Sequence, residues 1–99
     1  MTPTVTDLGA LTDEPHARPF PGEEPKTVRL SLDAGESVPA HRHPDRVVVC
    51  HVYEGELDVT LGDDTVTVST GEVARFDGAQ DISPRAAEES EALLVLAEK

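Results

Sequence analysis

The sequence predicts an all-β domain, an antiparallel β-barrel or jelly roll, and three observations carry that expectation. From Lys26 onward apolar and polar residues alternate with a period of two, the period of a strand with one face buried. The apolar stretches are short and separated at close spacing by Gly- and Asp-rich turns, the pattern of sandwiches and barrels. The first 25 residues carry Pro3, Pro15, Pro19, Pro21 and Pro25 with Gly9 and Gly22, which excludes a long helix or a central strand there.

Val28, Leu30 and Leu32 alternate with Arg29, Ser31 and Asp33, predicting a half-buried strand. Ala34, Gly35 and Glu36 punctuate it, and a short segment from Val38 to His43 follows, broken by Pro39 and ended by Pro44. Val47 to Tyr53 is β-branched without clean alternation. It is expected to be covered on both faces and to lie in the middle of the barrel. Glu54 and Gly55 turn the chain into Leu57, Val59 and Leu61, and Gly62, Asp63 and Asp64 suit a tight hairpin, because Gly and Asp tolerate positive φ. Val66 and Val68 return, Thr70 to Glu72 turn again into Val73 to Phe76, and Asp77 to Ala79 form a loop before Ile82. Ala86 to Glu91 favours helix locally, yet the strands before it make Ala92 to Ala97 a closing strand. The division is an N-terminal arm, residues 1–25, with room for one short strand, and a barrel domain, residues 26–99. Val5, Leu8, Leu11 and Phe20 in the arm need cover, which a partner subunit can supply.

Ninety-nine residues make one domain with a modest core. Twenty acidic residues oppose eight basic ones, for a net charge of −12, which repels phosphate-rich partners and anionic membranes. Neither nucleic acid nor membrane is therefore expected as a partner. The acidity resembles that of proteins from salt-loving (halophilic) organisms, where molar salt shortens the Debye length to about 3 Å. No run approaches the ~20 apolar residues of a membrane helix, and the start lacks the pattern of a secretory signal. Cys50 is the only cysteine, so no internal disulfide can form and a cytoplasmic location is expected.

Gly35 is followed five residues later by His41-Arg42-His43, and Tyr53-Glu54-Gly55-Glu56-Leu57 closes the same stretch. This resembles the first motif of the cupin family, and Gly71-Glu72 resembles the start of the second; the likeness spans roughly residues 27–96. It implies a cupin-type β-barrel and, in the family, three His and one Glu holding a divalent metal. On that register Val48 stands where the Glu belongs and Ile82 where the third His belongs. His41 and His43 are two apart, so on an extended strand both imidazoles face one way and can converge on one ion, at about 2.0 to 2.1 Å for zinc.

His41 and His43 are accordingly the candidate metal ligands, holding Zn, Fe, Mn, Ni or Cu weakly if at all. Cys50 shares parity with Val48 and reads as a buried, inert thiol, while His51 has the opposite parity and points away from the interior. Arg75 reads as exposed, and Asp45, Asp77 and Asp81 as solvated loop carboxylates. His16, among the prolines of the arm, is assigned no role. Three function classes stay open: a binding module whose cavity takes a small-molecule ligand, a metal-dependent dioxygenase-like or isomerase-like enzyme, and a non-catalytic structural or regulatory dimer. Resemblance to small single-domain cupins implies a homodimer. Screening of the carboxylates sets a first expectation: the melting temperature climbs markedly between low salt and molar KCl, and a flat or falling curve in a calorimetric salt series removes the salt-loving reading.

Overall fold

The alternation begins at Lys26 because that is where the first long strand begins. In a computed structural model describing residues 2–99, the chain forms β1 (His16–Ala17), β2 (Lys26–Leu32), β3 (Arg46–Glu54) and β4 (Glu56–Leu61). It continues through β5 (Asp64–Ser69), β6 (Val73–Asp77), β7 (Ile82–Ala86) and β8 (Ser90–Glu98). These make a five-stranded sheet, ordered β1-β2-β8-β3-β6, facing a three-stranded sheet, ordered β5-β4-β7. Every pairing within them is antiparallel. The all-β barrel expected from the sequence is the fold observed.

Period-two patterning decides the core. Leu30 and Leu32 of β2, Val48, Cys50 and Val52 of β3, and Leu57 and Val59 of β4 all point between the sheets and are almost fully buried. Two expectations about position are corrected. The middle of the larger sheet is the closing strand β8, flanked by β2 and β3, and not β3. Nor is β3 covered equally on both faces: its outward residues Val47 and Val49 are half-buried and His51 is exposed. Its β-branched outer face is apolar because it meets Val95 and Ala97 of β8 in register, not because a second layer covers it.

The Val38–His43 segment is not a continuous strand. Pro39 has no N–H to give a ladder, and the chain touches β7 only at isolated bridges, Ser37 to Arg85 and His41 to Ile82. Backbone bonds from Val38 N–H to the Pro84 carbonyl (2.9 Å) and from His41 N–H to the Ile82 carbonyl (3.1 Å) hold it as a partial fourth member of the smaller sheet. It runs from the end of β2 back towards the start of β3. The starts of β2, β3 and β7 and the ends of β4, β6 and β8 therefore share one end of the barrel.

The arm lies on its own domain. A short 3-10 turn (Leu8–Ala10) precedes β1, which pairs with β2 in the register His16 to Leu30 and Ala17 to Arg29. Expected on a solvent face, Arg29 is instead only 4% exposed. Its guanidinium donates to the carbonyls of Leu8 (3.2 Å), Leu11 (3.3 Å) and Asp13 (3.1 Å) and pairs with Glu91 (3.4 Å). Thr6 adds a bond from its hydroxyl to the Pro19 carbonyl, and Ala17 and Pro19 are buried. Leu8, Leu11 and Phe20 thus gain cover within the chain, whereas Val5 stays 94% exposed.

Replacing Arg29 by Met should leave the Leu11 and Asp13 carbonyls without the guanidinium, leave Leu8 with the Leu11 N–H as donor, and lower unfolding stability by about 3 kcal/mol. The arm should then be cut by protease at sub-denaturing conditions while residues 26–99 stay resistant. Equal protease resistance of the arm in R29M and wild type would show that Arg29 does not pin it.

Candidate functional site

The two histidines of the first motif meet at the barrel end just described. His41 bridges Ile82, so its side chain shares the inward face of β7. Its ring centroid lies 4.8 Å from that of His43, with the planes perpendicular. His41 Nδ1 sits 3.1 Å from the Pro39 carbonyl. With that nitrogen donating, Nε2 keeps the lone pair. Expected parity has therefore placed both rings together at an accessible end of the barrel.

His43 is held by a clamp that sequence reading passed over as a loop. Its N–H donates to the Gly78 carbonyl (2.7 Å), Gly78 N–H donates to the Arg46 carbonyl (2.9 Å), and Arg46 N–H donates to the His43 carbonyl (3.0 Å). Gly78 is buried, and a Cβ there would fall onto the His43 and Arg46 carbonyl oxygens. Only glycine permits this approach. Its signal in the sequence was no more than a Gly between Asp77 and Ala79.

A third imidazole was also missed. β1 runs antiparallel beside β2, and His16 pairs with Leu30, a core residue, so it shares the inward-facing side of the sheet. Arg18 follows two residues on, and Lys26 is paired with Leu96, again an inward position. The edge of β1 and the 41–43 segment thus border one seam near the barrel end. Burial holds His43 below the ordinary imidazole value, with further lowering from His41, Lys26, Arg46 and His16. Burial likewise lowers His16, assisted by His41, Arg18 and Lys26. Nothing in the sequence around His16 signals this, because it depends on pairing with a strand fourteen residues away.

The remaining candidates fall where parity placed them. Cys50 is 1% exposed and burial pushes its thiol from 9.0 up to about 11, which keeps it protonated and unreactive at neutral pH. His51 and Arg75 are exposed. Asp77 pairs with Lys99 (2.7 Å) and Asp81 with Arg42 (2.7 Å), so neither is a spare oxygen ligand; Asp45 is exposed. Two concavities lie elsewhere: a groove of about 340 Å³ beside Val66, Val68, Val73 and Phe76, and a cleft of about 610 Å³ between the arm's prolines and Thr27.

The model of the cupin domain family matches residues 28–97. The chain belongs to the cupin family. No curated protein matches it, but many solved structures do. It is similar to the cupin domain of Schizosaccharomyces pombe Cnp3, at TM-score 0.80 and 16% identity over 94% of this chain and 68% of that one. KdgF from a Halomonas species gives TM-score 0.78 and 16% identity over 97% and 95%. A conserved Streptococcus pyogenes protein of unknown function gives TM-score 0.68 and 23% identity over 75% of this chain; the chain spans 64% of that protein's length. At such identities the likeness is one of fold.

In this cupin the family's four-donor metal set does not fit. Val48, where a carboxylate would stand, is 3% exposed and lies among core aliphatics between Phe76 and Leu96. Ile82, where an imidazole would stand, is 6% exposed in the same core. Among the described residues, no three His, Cys, Asp or Glu side chains come together as metal ligands.

Proposed function

We propose that this cupin is a small-molecule binding module whose site is the His41–His43 end of the barrel. The observation that carries the reading is the pair of imidazoles, His41 and His43, 4.8 Å apart and partly accessible at the barrel end, with His41 bridged to the core aliphatic Ile82. Such a surface offers hydrogen bonds and an apolar floor, the usual make-up of a ligand site. A divalent ion bound there has two protein donors, His41 and His43, with solvent or ligand completing its shell, and is therefore held weakly.

We also propose that the protein acts as a homodimer, with a second copy seated on the outer face of the larger sheet. Val47 and Val49 of β3 lie beside Ala97 and Val95 of β8, with Asp77 and Arg75 of β6 across from them, and Val73, opposite His51, is 63% exposed. An apolar strip of this kind, edged by Arg75 and Asp77 on so acidic a chain, suits a second copy that sets its strip against the first and its Arg75 against the other's carboxylates. Substituting Val49 by Glu should convert dimer to monomer in sedimentation equilibrium without lowering the melting temperature of the monomer; unchanged mass would remove this face as the interface.

The metal reading is tested by rebuilding what is missing. Titration calorimetry with Zn²⁺ should show weak binding to wild type and none to H41A/H43A. The V48E/I82H variant should bind about 100-fold or more tightly than wild type, near 2.7 kcal/mol. Without metal that variant should melt lower than wild type, because two polar groups are buried unpaired; metal should more than restore it. Equal affinity in wild type and V48E/I82H would overturn the placement of Val48 and Ile82.

A further inference from the structure

We infer that the seam between β1 and the 41–43 segment binds a small oxyanion, a carboxylate or phosphate group, gripped by Arg18 and Lys26 with His16 as an added hydrogen-bond donor. The inference rests on the reading of this barrel end as a ligand site and names the chemical class of the ligand.

Charge accounting carries it. The chain has 20 acidic and 8 basic residues, so every cation has carboxylates available to it. Four cations take them: Arg29 with Glu91, Arg42 with Asp81, Arg46 with Glu24, and Lys99 with Asp77. Arg75 stands on the outer face of β6, paired across to Val49, and Arg85 near the far end of β7. Neither these two nor Arg18 and Lys26 have a carboxylate within 4.0 Å among the described residues, but Arg75 and Arg85 stand on different elements whereas Arg18 and Lys26 come together at one seam.

The placement is set by backbone register. β1 points His16 along the edge of the larger sheet, Arg18 follows directly after the strand, and Lys26 lies at the start of the neighbouring strand on the same inward side as His16. Across the seam lie His41 and His43, held by the Pro39 carbonyl and by the Gly78 clamp. The nearest charged neighbour of Lys26 besides Arg18 is the Arg46–Glu24 pair, in which Glu24 takes two bonds from the guanidinium, at 2.6 and 3.2 Å. That carboxylate is engaged. Burial, then the charges of Arg18 and Arg46, make the Lys26 ammonium easier to deprotonate than usual, with Glu24 opposing them only in part.

A fold that brings two cations without a carboxylate within 4.0 Å to a seam bordered by three imidazoles sets up repulsion there, on a chain of charge −12. A bound oxyanion relieves it. Guanidinium and ammonium suit carboxylate and phosphate oxygens alike, and Arg18 is exposed while Lys26 is half-buried, so a ligand reaches both from solvent.

The test uses the whole chain at fixed pH and fixed ionic strength, with chloride replaced stepwise by inorganic phosphate in one series and by malonate in another. Amide resonances of residues 16–18 and of Thr27 should shift saturably. R18Q/K26Q should weaken binding at least 10-fold, and R75Q/R85Q, which removes the same charge elsewhere, should leave it unchanged. Both variants alter surface side chains, and their melting temperatures verify folding. Saturable binding of only one of the two ions supports the site and identifies its headgroup. Absence of saturable shifts with both, or equal losses in the two double variants, overturns the inference. If oxyanions fail while Zn²⁺ still binds through His41 and His43, the ligand class falls and the binding module stands; if both fail, the reading of this barrel end falls with it.

Discussion

The guanidinium of Arg29 is the constraint on which the rest of the architecture hangs. A charged side chain on the outer face of β2 would ordinarily stay in water. Here it is covered, and the coverage is possible only because the arm folds over it and presents three carbonyl oxygens. Burying a guanidinium with fewer partners would cost several kcal/mol. The arm in turn could not lie flat without a donor for carbonyls that its prolines and turns leave outside any ladder. Each half of the contact makes the other tolerable, and its Nε–H, without a partner among the described residues, shows that the match is incomplete. The consequence reaches the histidine end of the barrel, because the pinned arm lays β1 beside β2 and carries His16 and Arg18 to the seam.

The barrel was legible in the sequence because its information is local. Alternation at Val28 to Leu32 and at Leu57 to Leu61, and turns at Gly55, Gly62 and Gly71 with positive φ in the structure, are properties of a few consecutive residues. Parity also placed Val48 and Cys50 inward and His51 outward. Three things escaped. Arg29 looked like half of an alternating pair because its cover comes from residues 16 to 21 positions earlier. His16 looked idle because its meaning lies in a strand pairing. Gly78 looked like any loop glycine because only the crossing of the His43 and Arg46 carbonyls makes it indispensable. All three depend on long-range contacts that no periodicity reports.

The cupin motif survives here with half of its donors. His41 and His43 stand on an irregular segment outside the named strands, fixed by Pro39 and Gly78, whereas Val48 and Ile82 stand inside strands and face the core. That division has a physical logic. A donor replaced within a strand by an aliphatic of similar size adds buried apolar surface, worth roughly 1.5 to 3 kcal/mol for a side chain that is fully buried, and removes a carboxylate or imidazole that would be costly without an ion. Losing the imidazoles at the rim would add little, since they are partly solvated already. The interior positions therefore have a stability reason to become aliphatic once a resident metal is dispensable, and the rim positions have none.

The ion pairs follow a related division. Arg42–Asp81 lies mostly in water, with both side chains more than half exposed, and a pair of that kind contributes no more than about 1 kcal/mol. Arg46 is better enclosed and spans more of the chain, reaching Glu24 and also the Leu96 carbonyl (2.8 Å), so it ties the exit of the arm to the ends of β3 and β8. Lys99 closes the last residue onto Asp77 at the same end. Three of the four paired cations thus brace the barrel end that carries the histidines. Bracing of that end draws on cations that an acidic chain has in short supply, and it leaves Arg18 and Lys26 unneutralised a few residues from carboxylates already engaged.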